Sequence, residues 1–183
     1  MSNPVPFEVD DLIVLLLGAP SKSPATRDKI SGITRLEKLV FLLERETDIG
    51  KQMTEKPDFI PHNFGPFSQK VYQAIDTLAL AGLIKDSASV SETADDSWET
   101  EEIIDDAPDS RFTTRDLELT DRGKRYYSAL MRDLGTNTVR VISDVKDRFG
   151  SLPLQQLIRY VYRRHPEEIT RSVIRDRILG PGS

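Results

Sequence analysis

The stretch FGPFSQKVYQAIDTLALAGLI, residues 64–84, decides how the rest of the chain is arranged. Pro66 suits a first helical turn, where its missing N–H costs nothing. From there Phe67, Val71, Ala74, Ile75, Leu78 and Ala81 recur at steps of three and four, the period of a helix with one buried face. Ser68, Gln69, Lys70, Gln73, Asp76 and Thr77 fall on the other side. Gly82 supplies the left-handed residue that ends a helix, and Leu83-Ile84 open an extended segment. A polar-faced helix running straight into a strand is the layout of a winged helix-turn-helix, in which a two-stranded wing follows the last helix of the trio.

The flanking sequence supplies the other pieces. Residues 9–18 (VDDLIVLLLG) predict a short buried helix with Asp10 and Asp11 near its positive end. Residues 19–31, with Pro20, Pro24 and several Ser and Lys, read as a loop. Residues 32–46 predict a second helix, with Thr34 as N-cap and Glu37 at capping-box spacing. Its apolar face is Leu36, Leu39, Val40 and Leu43, widened by Phe41 and Leu42, and Arg35, Lys38, Glu44 and Arg45 are expected in water. A connector with Gly50, Pro57 and Pro61 follows, with a brief strand or turn at Phe59-Ile60. Residues 83–85 and 111–119 are the partners of a hairpin whose imperfect alternation predicts a bulge. Thr120 caps a helix over residues 121–134, with Tyr126, Tyr127, Leu130, Met131 and Leu134 inward. Further helices are expected over 138–149, 152–165 and 167–179, the last with Ile169, Val173, Ile174 and Ile178 on one face.

Composition excludes several chemistries. The 183 residues contain no cysteine, which removes disulfides, thiol nucleophiles and thiolate metal sites. The apolar run of residues 12–17 is too short to cross a bilayer, and the first residues carry no basic n-region of a secretory signal. The expected location is the cytoplasm. The net charge of −5 is unevenly spread: residues 86–110 hold ten acidic side chains and no Lys or Arg. The remaining chain has 25 basic residues against 20 acidic ones, a balance of +5. A basic body with an acidic insertion is compatible with nucleic acid.

Enzyme motifs are missing. His62 and His165 are the only histidines, far apart and without metal-ligand spacing. His62 reads as a turn residue and His165 as a helix C-terminus, where an imidazolium is favoured by the helix dipole. No phosphate-binding glycine loop or nucleophile elbow occurs. Asp95-Asp96 and Asp105-Asp106 read as solvated charge, since no calcium-loop spacing surrounds them. The nucleic-acid reading has a defined mechanism. If the helix beginning near Ser68 enters the major groove, Gln69, Lys70 and Gln73 project towards base edges. Ser68 and the first backbone N–H groups then hold a phosphate. Arg122, Lys124 and Arg125 give flanking backbone contacts. A second basic patch, Arg159, Arg163, Arg164, Arg171, Arg175 and Arg177, reads either as a further DNA-facing surface or, more often for such arginines, as solvated side chains pairing with Glu167, Glu168 and Asp176. These arginines could also dock the acidic insertion, in which case deleting residues 87–109 raises DNA affinity at low salt.

The motifs RLEKLVFLL (residues 35–43), FGPFSxxVY (64–72), LAxAGLI (78–84), LTDRG (119–123) and LIRYVYRRHPE (157–167) together resemble the YwgA-like proteins. They also resemble the wider group that includes the SocA/Panacea antitoxin domain. The resemblance implies an α-helical, winged-helix-like domain, with some relatives linked to DNA binding and others to toxin neutralisation by protein contact. It implies no shared catalytic set, and the acidic insertion departs from its pattern.

The expected fold is mainly α (α+β). It is a winged helix-turn-helix with a small β hairpin over residues 1–134, with the acidic insertion of about 86–110 in the wing. A C-terminal helical extension, residues 135–183, packs on the same domain. The expected function is a non-enzymatic DNA-binding regulator, with double-stranded DNA as partner and a homodimer through the helices after Thr120. The alternative is an antitoxin-like or accessory protein-interaction module. No cofactor, metal, catalytic residue or membrane contact is expected.

Overall fold

Six consecutive side chains of the first helix, α1 (Val9–Gly18), are buried from Leu12 to Leu17. A helix hidden all round needs neighbours on every side. It has them: α4 (Gln69–Leu80), α5 (Asp121–Asp133), α6 (Thr136–Phe149) and the central helix α2 (Ile33–Glu46) all contact it. The computed structural model describes residues 5–90, 113–170 and 175–180. The acidic stretch beyond Val90, including Trp98, Ile103, Ile104 and the paired aspartates, lies outside the described residues, as do Arg171, Val173 and Ile174.

The chain is mainly helical, with small antiparallel sheets. A strand β1 (Lys29–Ser31) precedes α2, and a short α3 (Ile49–Gln52) follows it. The hairpin β2 (Ile60–His62) and β3 (Gly65–Phe67) leads into α4, and β4 (Ile84–Val90) and β5 (Thr113–Leu119) lie between α4 and α5. The three-stranded sheet has the order β1-β5-β4. The β4–β5 ladder runs without interruption from Ile84↔Leu119 to Val90↔Thr113, so the expected bulge is absent from the paired residues. After α6 come α7 (Leu154–Arg164), a 3-10 turn (Pro166–Ile169) and α8 (Arg175–Leu179).

Several expectations are corrected. The supposed loop 19–31 ends in β1, whose Ile30 is fully buried and pairs opposite Leu117. The helix expected from Pro66 starts at Gln69, because Gly65, Pro66 and Phe67 pair with β2 and Ser68 is the N-cap. Gly65 has φ +89, a backbone region open to glycine, and a Cβ there would meet the Tyr162 ring at 2.7 Å. His62 lies in β2, not in a turn, with its ring against Phe67. The last helix is not continuous from 167, since a 3-10 turn occupies Pro166–Ile169. Tyr126, expected inward, is exposed.

The largest correction concerns α2. Gly32, at φ 92, is its N-cap, and Thr34 is inside the helix. Arg35 and Lys38, expected in water, are 8% and 1% exposed. Arg35 donates from Nε to Ser31 O (3.0 Å) and from its terminal nitrogen to Leu152 O, tying β1 to the α6–α7 turn. Lys38 Nζ donates to Glu37 Oε2 (3.0 Å) and to Pro66 O (2.7 Å). Glu37 Oε1 accepts the backbone N–H of Ser68 (2.8 Å). A third buried cation, Lys146 on α6, donates to Leu17 O (2.6 Å) and Ala19 O (3.0 Å) at the C-terminal end of α1. Cations there satisfy carbonyls the helix leaves open. Buried charge requires such partners, so these groups weld α1, α2, β3 and α6 together.

Candidate nucleic-acid interface

The amino end of α4 is closed from within. Ser68 is fully buried. Its hydroxyl accepts the Val71 N–H (3.2 Å) and donates to Pro57 O, and its own N–H goes to Glu37. The anion that a helix N-terminus favours is therefore the chain's own Glu37 carboxylate. Ser68 has no open donor for a phosphate, and it leaves the group of available contact residues.

Gln69 and Gln73 are exposed on the outer face of α4. Lys70 is held: its ammonium contacts Glu55 Oε1 and Asp58 Oδ2, both at 2.5 Å, and Lys56 O at 3.1 Å. The hydrogen bond with Asp58, and then that with Glu55, raise its pKa. Asp58 itself takes φ 54, unusual for a residue with a side chain. Farther along the helix, exposed Asp76 faces Arg115 (3.5 Å), which also forks onto Asp86 with Nε at 3.1 Å. Hydrogen bonding to Asp86 raises the Arg115 pKa. The described charges of this face are thus neutralised by neighbours. Leu80, at its C-terminal end, is 91% exposed.

Arg122, Lys124 and Arg125 are all exposed in the first turns of α5. Thr120 caps this helix by accepting the Gly123 N–H (3.0 Å). Gly123 abuts Leu83, where a Cβ would lie 2.0 Å from the carbonyl oxygen. These cations therefore sit beside the turn after α4, whereas Gln69 and Lys70 lie at its other end. The 12 residues of α4 separate the two groups by roughly 18 Å. Lys124 pairs with Asp28 at 3.5 Å. Among the described residues, no ion pair engages Arg122 or Arg125.

Several other titratable groups make contacts within the fold. His165, the C-cap of α7, contacts Glu46 Oε1 through Nε2 (2.9 Å), and Tyr160 donates to Glu46 Oε2 (2.8 Å). Tyr126 donates to Asp11, which pushes its pKa up to about 12. Among the described residues, no group of three or more His, Asp or Glu side chains is arranged to hold a metal, and no helix is long and apolar enough to cross a membrane. No protein-family model matches the chain, and no curated protein matches it.

The buried Glu37–Lys38–Ser68 network escaped sequence reasoning. Its one sequence trace is that both motifs it joins, RLEKL and FGPFS, carry polar residues inside apolar periodicity.

Proposed function

We propose that this protein is a non-enzymatic, cytoplasmic winged-helix regulator that binds double-stranded DNA, related to the YwgA-like and SocA/Panacea group. The order α1, β1, α2, α4, β4, β5 with sheet order β1-β5-β4 supports the winged-helix reading. One observation carries the functional reading: Gln69 and Gln73 are exposed on the helix that runs directly into the β4–β5 hairpin. Glutamine reads adenine bidentately in the major groove. The arginines of α5 flank that helix and supply backbone contacts, and a homodimer would set two such helices on paired half-sites.

The test is fluorescence anisotropy on random and selected duplexes at low salt. Binding that weakens with salt supports the reading. Arg122→Ala and Arg125→Ala then weaken all duplexes alike, and Gln73→Ala alters the preference between them. No binding at micromolar protein refutes it. The neutralised charges around Lys70 and Arg115 and the exposed Leu80 favour the second reading, an antitoxin-like or accessory module that docks this face on a protein. That reading gains if duplex binding is absent while Leu80→Glu abolishes capture of a partner.

A further inference from the structure

The face of α7 turned away from the core carries a different surface. Leu154, Leu157, Ile158, Val161 and Tyr162 are buried, and the opposite side forms a cleft of about 430 Å³ lined by Gln156, Arg159, Tyr160, Arg163 and Arg164. The cleft is shallow and open to solvent, so it offers a ligand a surface rather than an enclosure. Every cation lining it is arginine. A guanidinium fork matches the oxygens of a phosphate in a way an ammonium does not.

Two of these side chains are fixed before any ligand arrives. Arg159 donates from Nε to Ile178 O (3.1 Å), so this bond leaves its two terminal nitrogens to the cleft. The Tyr160 hydroxyl is tied to Glu46, and its ring packs on Phe149 at a centroid distance of 4.7 Å. Arg148, from α6, lies 5.5 Å from the Tyr160 ring centroid and adds a fourth guanidinium beside it. Glu46 faces Arg164 at 3.7 Å. Among the described residues, no carboxylate pairs with Arg159 or Arg163. The contrast with α4 is direct: there Lys70 is held by two carboxylates, and here Arg159 and Arg163 have no carboxylate partner among the described residues and stand around an aromatic ring and an amide.

We propose that the α7 cleft is a nucleotide-binding site. The arginines 159 and 163 take the phosphate, the planar base stacks against Tyr160 and the neighbouring guanidinium groups, and Gln156 meets the base edge. Stacking on an aromatic platform with arginine support is sequence-tolerant, since every base has a π-face. A free nucleotide and one unit of a single strand present the same chemistry, and the experiment separates them. The site is distinct from α4 and does not depend on duplex binding.

The test uses the full chain with a labelled mixed-sequence single-stranded oligonucleotide in anisotropy, and ATP in isothermal titration calorimetry. Binding of both marks a free-nucleotide site, and binding of the oligonucleotide alone marks a single-strand site. Arg163→Ala is expected to weaken whichever ligand binds by about tenfold and to lower the salt slope by about one. Arg163→Lys recovers only part of the loss, because the charge returns without the fork. Arg163 is exposed, so its variants should melt with the parent, which separates loss of binding from loss of fold. Arg122→Ala and Gln73→Ala should leave this binding unchanged, even where they weaken duplex binding or change its sequence preference. Absence of binding by both probes at low salt overturns the proposal. So does binding indifferent to Arg163→Ala, or equal affinity for an abasic oligonucleotide.

Discussion

Replacing Glu37 by Gln and Lys38 by Met, singly and together, probes the junction that aims α4. The side chains are 4% and 1% exposed and lie 3.0 Å apart. Glu37→Gln keeps an oxygen for the Ser68 N–H but leaves the Lys38 ammonium buried against one carbonyl, Pro66 O at 2.7 Å. Lys38→Met leaves the Glu37 carboxylate with the Ser68 N–H alone. Breaking a buried pair from either side costs about 3–5 kcal/mol. The double variant removes both charges and retains the acceptor for Ser68. Its main defect is an unsatisfied Pro66 carbonyl, about 1–3 kcal/mol. The two changes together should therefore be less harmful than either alone. Urea unfolding followed by circular dichroism reads this as midpoint shifts. With a slope of about 2 kcal/mol per molar, each single change lowers the midpoint by roughly 1.5–2.5 M. Single variants each within about 1 kcal/mol of the parent, and additive in the double, would refute the reasoning.

Two glycines separate strain from crowding. Gly65→Ala combines φ +89 with a contact at 2.7 Å to the buried Tyr162 ring, and should cost about 2–5 kcal/mol in chemical denaturation. Gly82→Ala has φ +69 but nothing within 4 Å, so the backbone penalty of about 1–2 kcal/mol stands alone. Lys146 gives a pH dependence: burial lowers its pKa from 10.5 to about 8. Between those values the unfolded chain binds the proton better, so stability rises with pH from about 8 upward. The full gap corresponds to about 3 kcal/mol. The clear window closes near pH 10, where Tyr126, whose pKa is pushed up to about 12, begins to oppose the rise. Thermal melts across this window should show the increase, and Lys146→Met should flatten it.

The chain's helices were legible because their periodicity is local. The apolar runs of α1, α2, α4, α6 and α7 announce them, Gly82 announces the end of α4, and Thr120 announces the start of α5. What was hidden is nonlocal. Ile30 is one apolar residue in a polar, proline-containing stretch, and only the presence of β5 beside it makes a strand. Arg35 and Lys38 occupy positions that a helix alone would leave in water. Their burial follows from the α6–α7 turn and from β3 closing over them. The same closure took Ser68 from the expected contact residues. Gln69, Gln73, Arg122 and Arg125 were readable as exposed side chains, but the acidic neighbours of Lys70 were not. Glu55 and Asp58 reach it from a connector whose path depends on the β2–β3 hairpin.

That neutralisation constrains the form the proposed DNA complex would take. Lys70 is held by two carboxylates and Arg115 by Asp86, so α4 would bring amides to base edges and little net charge to phosphates. Affinity would then rest on Arg122 and Arg125, with Lys124 contributing only if it leaves Asp28. Two or three phosphate contacts give a slope of log K against log salt of about −2 to −3. Between 50 and 200 mM salt that slope means a loss of roughly 15- to 65-fold, small for a specific duplex reader. Measured slopes in that range, reduced by about one in Arg122→Ala, would fit contact confined to α4 and α5. A slope steeper than about −5 needs more cations than this face offers. If Arg163→Ala then lowered it, the duplex would have to touch the α7 surface as well, and an interface limited to α4 and α5 would be wrong.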